Sequence, residues 1–198
     1  MSALQQQFGP IDIYLFDQLL RGNIAPGMII LDAGCGYGRN LVYFLRQGYS
    51  VFGADFDAQA IEETRRLAHN LPASNFHLEP VERMTFADGF ADVVISSAVL
   101  HFASDDDQFL AMLKGSWRVL KPGGLFFCRL TSSIGIEQLV RPIIGRRYLL
   151  PDGSERYLVD EAMLLRLTAQ SGGELVDPIK TTVVQSQRSM TTWVMRKI

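Results

Sequence analysis

Apolar residues recur along this chain with two alternating periods. Met28 to Ala33 is a short apolar run, as expected of a strand buried on both faces. Gly38 to Gln47 follows at helical spacing and Gly48 closes it. Ser50 to Asp55 reads as a second strand, and Asp57 as the N-cap of a helix running to about His69. Asn75 to Glu79 is a short strand candidate, and Ala91 to Ser97 is a nearly continuous apolar run. Ser104 is placed to cap a helix whose first turn holds Asp105, Asp106 and Asp107, favourable against the helix dipole. Phe109, Leu110, Leu113, Trp117 and Leu120 form its apolar face, and Lys121-Pro122-Gly123-Gly124 ends it. Leu125 to Leu130 is a further strand. Upstream, Pro10 is positioned to start a helix with Ile11, Leu15 and Leu19 on one face.

Strands alternating with helices imply an α/β fold, a doubly wound, mostly parallel sheet of about seven strands. The last third breaks the alternation. A helix over Asp160 to Ser171 precedes two strand patterns, Glu174 to Gln185 and Met190 to Lys197, joined by a short link. That arrangement predicts an antiparallel pair, so the final strand is reversed. Residues 131–159 form a long connection with three glycines and two prolines. Connections this long in compact domains are often functional, so a substrate lid is expected there. The organisation is one domain over 1–198, with residues 1–24 as a helical cap.

Composition adds limits. The chain is 47% hydrophobic and 20% charged with a net charge of −2, which argues against a nucleic-acid partner needing a basic face. The two cysteines, Cys35 and Cys128, have no metal-type spacing, so no metal is expected, and both read as free thiols in a reducing, cytoplasmic compartment. No basic-then-apolar leader and no membrane-length apolar run is seen.

The chemistry-bearing stretch is "ILDAGCGYGRN", Ile30 to Asn40, with Gly34, Gly36 and Gly38 at every second position. A strand, a glycine turn and a helix suggest a nucleotide cofactor at the carboxyl end of the sheet. A P-loop needs Lys-Ser/Thr after its last glycine, but Gly38 is followed by Arg39-Asn40. The dinucleotide fingerprint needs a glycine at the position held by Arg39. Asp55, at the end of the next strand, is placed to accept hydrogen bonds from both hydroxyls of a ribose. A nucleoside without phosphates fits this set.

"ILDAGCGYGRN" and "VFGADFD", followed by "ADVVISSAVLHF" and "WRVLKPGGLFF", resemble the class I S-adenosylmethionine-dependent methyltransferases, from about Met28 to Leu130. The resemblance implies S-adenosyl-L-methionine as cofactor. It implies that Asp32, Gly34 and Gly36 lie against its methionine part, with the Cys35 backbone in the same wall. Asp55 would bind the ribose, Phe56 would pack on the adenine, and the Ser97 backbone would receive the amino group. The family's usual acid for the adenine amino group falls on Pro80. Glu79 or Glu82 stands beside it, and the Val81 amide remains available to the ring. Arg39 is a candidate partner for the cofactor carboxylate, or for Asp12 or Asp17. A narrower resemblance to the tellurite-resistance methyltransferases implies a soft anionic acceptor.

The expected function is in-line methyl transfer to a small molecule, by a monomer or homodimer. The alternatives are a non-catalytic binder of the same cofactor and a nucleic-acid or protein methyltransferase. His101, just after the fourth strand, is the candidate general base, because histidine titrates near neutral pH. In the lid, Arg146, Arg147 and Tyr148 are candidates for acceptor binding, within a local excess of positive charge that also includes Arg141 and Arg156.

Overall fold

The computed structural model describes residues 3–198, so the first two residues of the expected N-terminal cap lie outside the described residues. The chain begins with two helices, α1 (Ala3–Phe8) and α2 (Ile13–Leu20). Then β1 (Ile29–Ala33), α3 (Val42–Arg46), β2 (Ser50–Asp55), α4 (Ala58–Leu67) and β3 (Phe76–Leu78) alternate. They are followed by β4 (Ala91–Ser97), α5 (Asp106–Val119) and β5 (Leu120–Thr131). Three short strands come next, β6 (Arg141–Ile144), β7 (Arg147–Leu149) and β8 (Glu155–Tyr157). The chain ends with α6 (Glu161–Gln170), β9 (Gly173–Leu175), β10 (Lys180–Val184) and β11 (Arg188–Lys197).

The main sheet has the order β10-β11-β5-β4-β1-β2-β3, with β9 paired to the end of β11. Strands β1 to β5 run parallel, and β11 lies antiparallel to β5. This is the expected Rossmann-like sheet with a reversed last strand. Side chains alternate across it and build two cores. Leu31, Val94, Phe126 and Trp193 face α5 and α6, while Ile30, Val93, Phe127 and Val194 face α2, α3 and α4.

Local details differ from the pattern reading, each for a physical reason. The helix expected from Gly38 starts only at Val42, because Gly34, Gly36 and Gly38 all hold positive φ and keep the chain turning. Helix α2 starts at Ile13 rather than Pro10, because Asp12 caps it by accepting the Tyr14 N–H at 3.0 Å. Asp105, not Ser104, caps α5 and accepts from Gln108 N at 2.8 Å, while the Ser104 N–H donates to the Gln108 side chain. The stretch read as one strand from Glu174 is two, β9 and β10, separated by a segment in which the Asp177 carboxylate accepts from Gln18 Nε2 at 2.8 Å. The long connection is a three-stranded antiparallel sheet, β6-β7-β8. Its strands of three or four residues are too short to show a period of two.

Asp12 joins the cap to the sheet. Its side chain is fully buried and accepts from Arg129 Nη1 at 2.8 Å, and its N–H donates to Asn40 Oδ1 at 3.0 Å. Removing one charge of a buried pair leaves the other uncompensated. Asp12→Asn is therefore expected to cost about 3 kcal/mol in denaturant unfolding. A loss below about 0.5 kcal/mol, the scale of an exposed pair, would show that water already screens Arg129.

Candidate functional site

The chain passes from β1 to β2 and β3 on one side, then returns to β4 on the other. The resulting crevice at the carboxyl ends of β1 and β4 is where open parallel sheets bind ligands. A cavity of about 810 Å³ lies there, within the range of small-molecule sites.

Its floor is the glycine turn. The N–H groups of Gly34 and Cys35 both donate to the Ala54 carbonyl, at 2.8 and 3.0 Å, which ties the turn to β2. A Cβ at Gly34 would stand 2.4 Å from Val99 Cγ2, in a backbone with φ +86°, so no larger residue fits. Gly36 differs: a Cβ there would meet nothing within 4 Å, and the residue lines the cavity. The Asp55 carboxylate joins two loops. One oxygen accepts from Gly36 N at 2.8 Å and the other from Asp57 N at 2.9 Å. The Thr64 hydroxyl on α4 holds the Gly36 carbonyl at 2.7 Å. Each carboxylate oxygen keeps further acceptor capacity toward the cavity that Asp55 lines.

On the β4 side, Arg39 Nη2 donates to Ser97 Oγ at 2.9 Å, and both residues line the cavity. Arg39 bonds neither Asp12 nor Asp17. Ala98 follows with φ +64°, a conformation rare for a residue with a side chain, and its N–H donates to the Arg129 carbonyl at 2.7 Å. Asp32 sits behind this wall rather than on it. Both carboxylate oxygens are buried without a hydrogen-bond partner. Burial raises its pKa to about 8, against the pull of Arg39 and with the repulsion of Asp55.

The far wall is formed by Pro80, Val81 and Glu82, with Gln108 and Met112 from α5. Gln108 Nε2 donates to Glu82 Oε1 at 3.3 Å. Glu79 points elsewhere: its carboxylate accepts from Thr85 N and Thr85 Oγ1, both at 2.9 Å. Phe56 is 79% exposed and lines the cavity mouth.

The other sequence candidates lie off the cavity wall. His101 is buried, and its Nδ1 accepts from Thr131 N at 3.0 Å, so the neutral ring carries its proton on Nε2. Burial, with Arg156 nearby, lowers its pKa to about 3. Arg146 pairs with Asp160 at 2.9 Å and Arg147 with Glu155 at 2.9 Å. Tyr148 pairs in register with Arg156 in the small sheet. Burial pushes the thiols of Cys35 and Cys128 up, so neither is a nucleophile at neutral pH.

Comparison with known proteins agrees with this geometry. Residues 31–128 match the family model described as a methyltransferase domain. Those residues form a methyltransferase domain of the class I S-adenosylmethionine-dependent kind. It is 34% identical over 164 residues to a ubiquinone biosynthesis O-methyltransferase of Chelativorans sp., covering 80% of this chain and 62% of that one. A S-adenosylmethionine-dependent methyltransferase structure from Methanosarcina mazei superposes with a TM-score of 0.74 at 21% identity, over 91% of this chain and 97% of that one. The 1,6-didemethyltoxoflavin-N1-methyltransferase of Burkholderia thailandensis, solved with 1,6-didemethyltoxoflavin and S-adenosylhomocysteine, gives 0.72 at 21%, over 98% and 81%. The chain spans less than two thirds of the length of the curated relatives it matches. Among the described residues no helix is long and apolar enough to cross a membrane.

Several wall residues of this methyltransferase domain were not singled out by the sequence pattern. Tyr37, Asn40, Phe102, Gln108 and Met112 all line the cavity. Gln108 and Met112 stand four apart and so share a face of α5, the single local hint. Asp32 supplies the test of the site's electrostatics. A carboxyl with a raised folded pKa stabilises the fold while protonated, and that contribution is lost as pH rises from about 4 to about 8. Asp32→Asn has no proton to lose. Its melting temperature is expected to gain on wild type from pH 4 to about pH 8 and to hold that gain at pH 9. A difference that stays constant across that range would show Asp32 to be ionised throughout.

Proposed function

We propose that this protein binds S-adenosyl-L-methionine in the cavity and transfers its methyl group to a small-molecule acceptor. The observation that carries the reading is the Asp55 carboxylate. It is anchored by two backbone amides, one of them from Gly36, and lines a cavity at the sheet's switch point. A vicinal diol is the natural partner of such a carboxylate, and the ribose of a nucleoside offers one. The names of the relatives, methyltransferases acting on small molecules, support the same assignment.

The residues present fit the cofactor. The glycine turn would take the amino-acid end, with the Ser97 backbone and Arg39 beside it, and the exposed Phe56 ring and the Val81 amide would take the base. Glu82, held by Gln108, is the carboxylate available where Pro80 replaces the usual acid. The cofactor supplies an electrophilic sulfonium methyl group when bound. The chain's own task is then to hold the acceptor in line and exclude water, and well-oriented reactants gain about 7–11 kcal/mol from placement alone. His101 has no free ring lone pair in the tautomer that accepts the Thr131 N–H, so its part in this reading is to fix the turn after β4 rather than to remove a proton.

Calorimetric titration with S-adenosylmethionine and S-adenosylhomocysteine tests the reading. Wild type is expected to bind both, and Asp55→Ala to weaken binding at least tenfold, about 1.4 kcal/mol. Binding that is absent from wild type, or indifferent to Asp55, sinks the assignment.

A further inference from the structure

The lid arginines are not equivalent. Arg146 and Arg147 are neutralised by Asp160 and Glu155. Arg156, on β8, has no carboxylate within ion-pair distance among the described residues, and its one hydrogen bond is Nη1 to the Glu155 carbonyl at 2.7 Å. Its guanidinium instead lies over the Phe102 ring, 4.8 Å from the centroid. Phe102 is 59% exposed and lines the cavity. The nearby Asp152 feels the field of Arg156 but directs a carboxylate oxygen to Ser154 N at 2.9 Å and Ser154 Oγ at 2.6 Å.

A guanidinium over an aromatic face still donates in its own plane, and with Nη1 on the Glu155 carbonyl the other nitrogens of Arg156 are left for a carboxylate. Phe102 itself is an exposed aromatic ring in the cavity wall, against which a second ring packs favourably. We infer that Phe102 and Arg156 form the acceptor subsite and select a planar acceptor that carries a carboxylate. This deepens the methyltransferase reading and rests on it for the word acceptor. Exposed apolar surface beside an unneutralised cation suits a ligand that is flat and anionic at once. A neutral ring would leave the fork unmatched, and a small anion would leave the Phe102 face uncovered. The small sheet β6-β7-β8 has the same explanation. Its antiparallel pairing carries Arg156 from the far end of the chain's long connection to the ring of Phe102, a residue of the cavity wall.

Binding of 4-hydroxybenzoate, its neutral amide 4-hydroxybenzamide and acetate would be measured by calorimetry, with and without S-adenosylhomocysteine. On wild type the benzoate is expected to bind about tenfold or more tighter than the amide and than acetate, in keeping with a charge-assisted fork. Arg156→Gln should erase the preference over the amide and Arg156→Lys should keep part of it, while Phe102→Leu should erase the preference over acetate. S-Adenosylhomocysteine affinity and melting temperature are expected to change little in all three variants. The inference is overturned if wild type does not distinguish benzoate from benzamide, if neither binds, or if the preference survives Arg156→Gln. Loss of S-adenosylhomocysteine binding to wild type, with the benzoate preference intact, would instead remove the cofactor assignment and leave the anion subsite.

Discussion

One carboxylate organises the cavity. Asp55 takes an amide from the glycine turn after β1 and another from the turn after β2, so two loops from neighbouring strands share one anchor. Parallel strands end at the same edge of the sheet, and their loops would otherwise be held only by their own short turns. A buried acceptor that satisfies donors from both converts two flexible connections into one wall. The positive φ of Gly36 and the Thr64 bond to its carbonyl complete that wall from the other side. The cavity is therefore a consequence of satisfying backbone polar groups at a sheet edge.

Charge is distributed by the same logic. Where a cation is buried it has an acid: Arg129 meets Asp12 beneath α2, and the ring of Tyr14 lies 5.2 Å from its guanidinium. On the small sheet, Arg146 and Arg147 meet acids too. Two guanidinium groups beside the cavity do not: Arg39 holds only the Ser97 hydroxyl, and Arg156 holds a carbonyl and an aromatic face. Asp32 shows the opposite imbalance, a buried acid without a hydrogen-bond partner. Unmatched polar groups are costly in a fold that needs no ligand. Around the cavity, with the left-handed Ala98 among them, these groups leave interactions for something else to complete.

The main sheet was legible because its strands are buried on both faces and its helices on one, so hydrophobic period maps directly onto structure. The cavity wall was legible for a related reason. Gly34, Gly36 and Asp55 lie at strand ends, where local backbone geometry dictates the residue type. The caps of α2 and α5 were misplaced by one to three residues, since Asp12 and Asp105 compete with neighbours that are equally good on local grounds.

The sequence by itself determined the alternation of strands and helices from β1 to β5, the glycine turn and the acid that faces it, because those features depend on residues adjacent in the chain. Only the tertiary structure decided which charges are spent. Arg147 and Arg156 look alike in sequence, yet one meets Glu155 and the other lies on Phe102. Glu79 and Glu82 look alike as well, yet Thr85 takes the first and the cavity keeps the second. Ion pairing and stacking act over a few ångströms between segments tens of residues apart, and the folded chain alone brings those segments together.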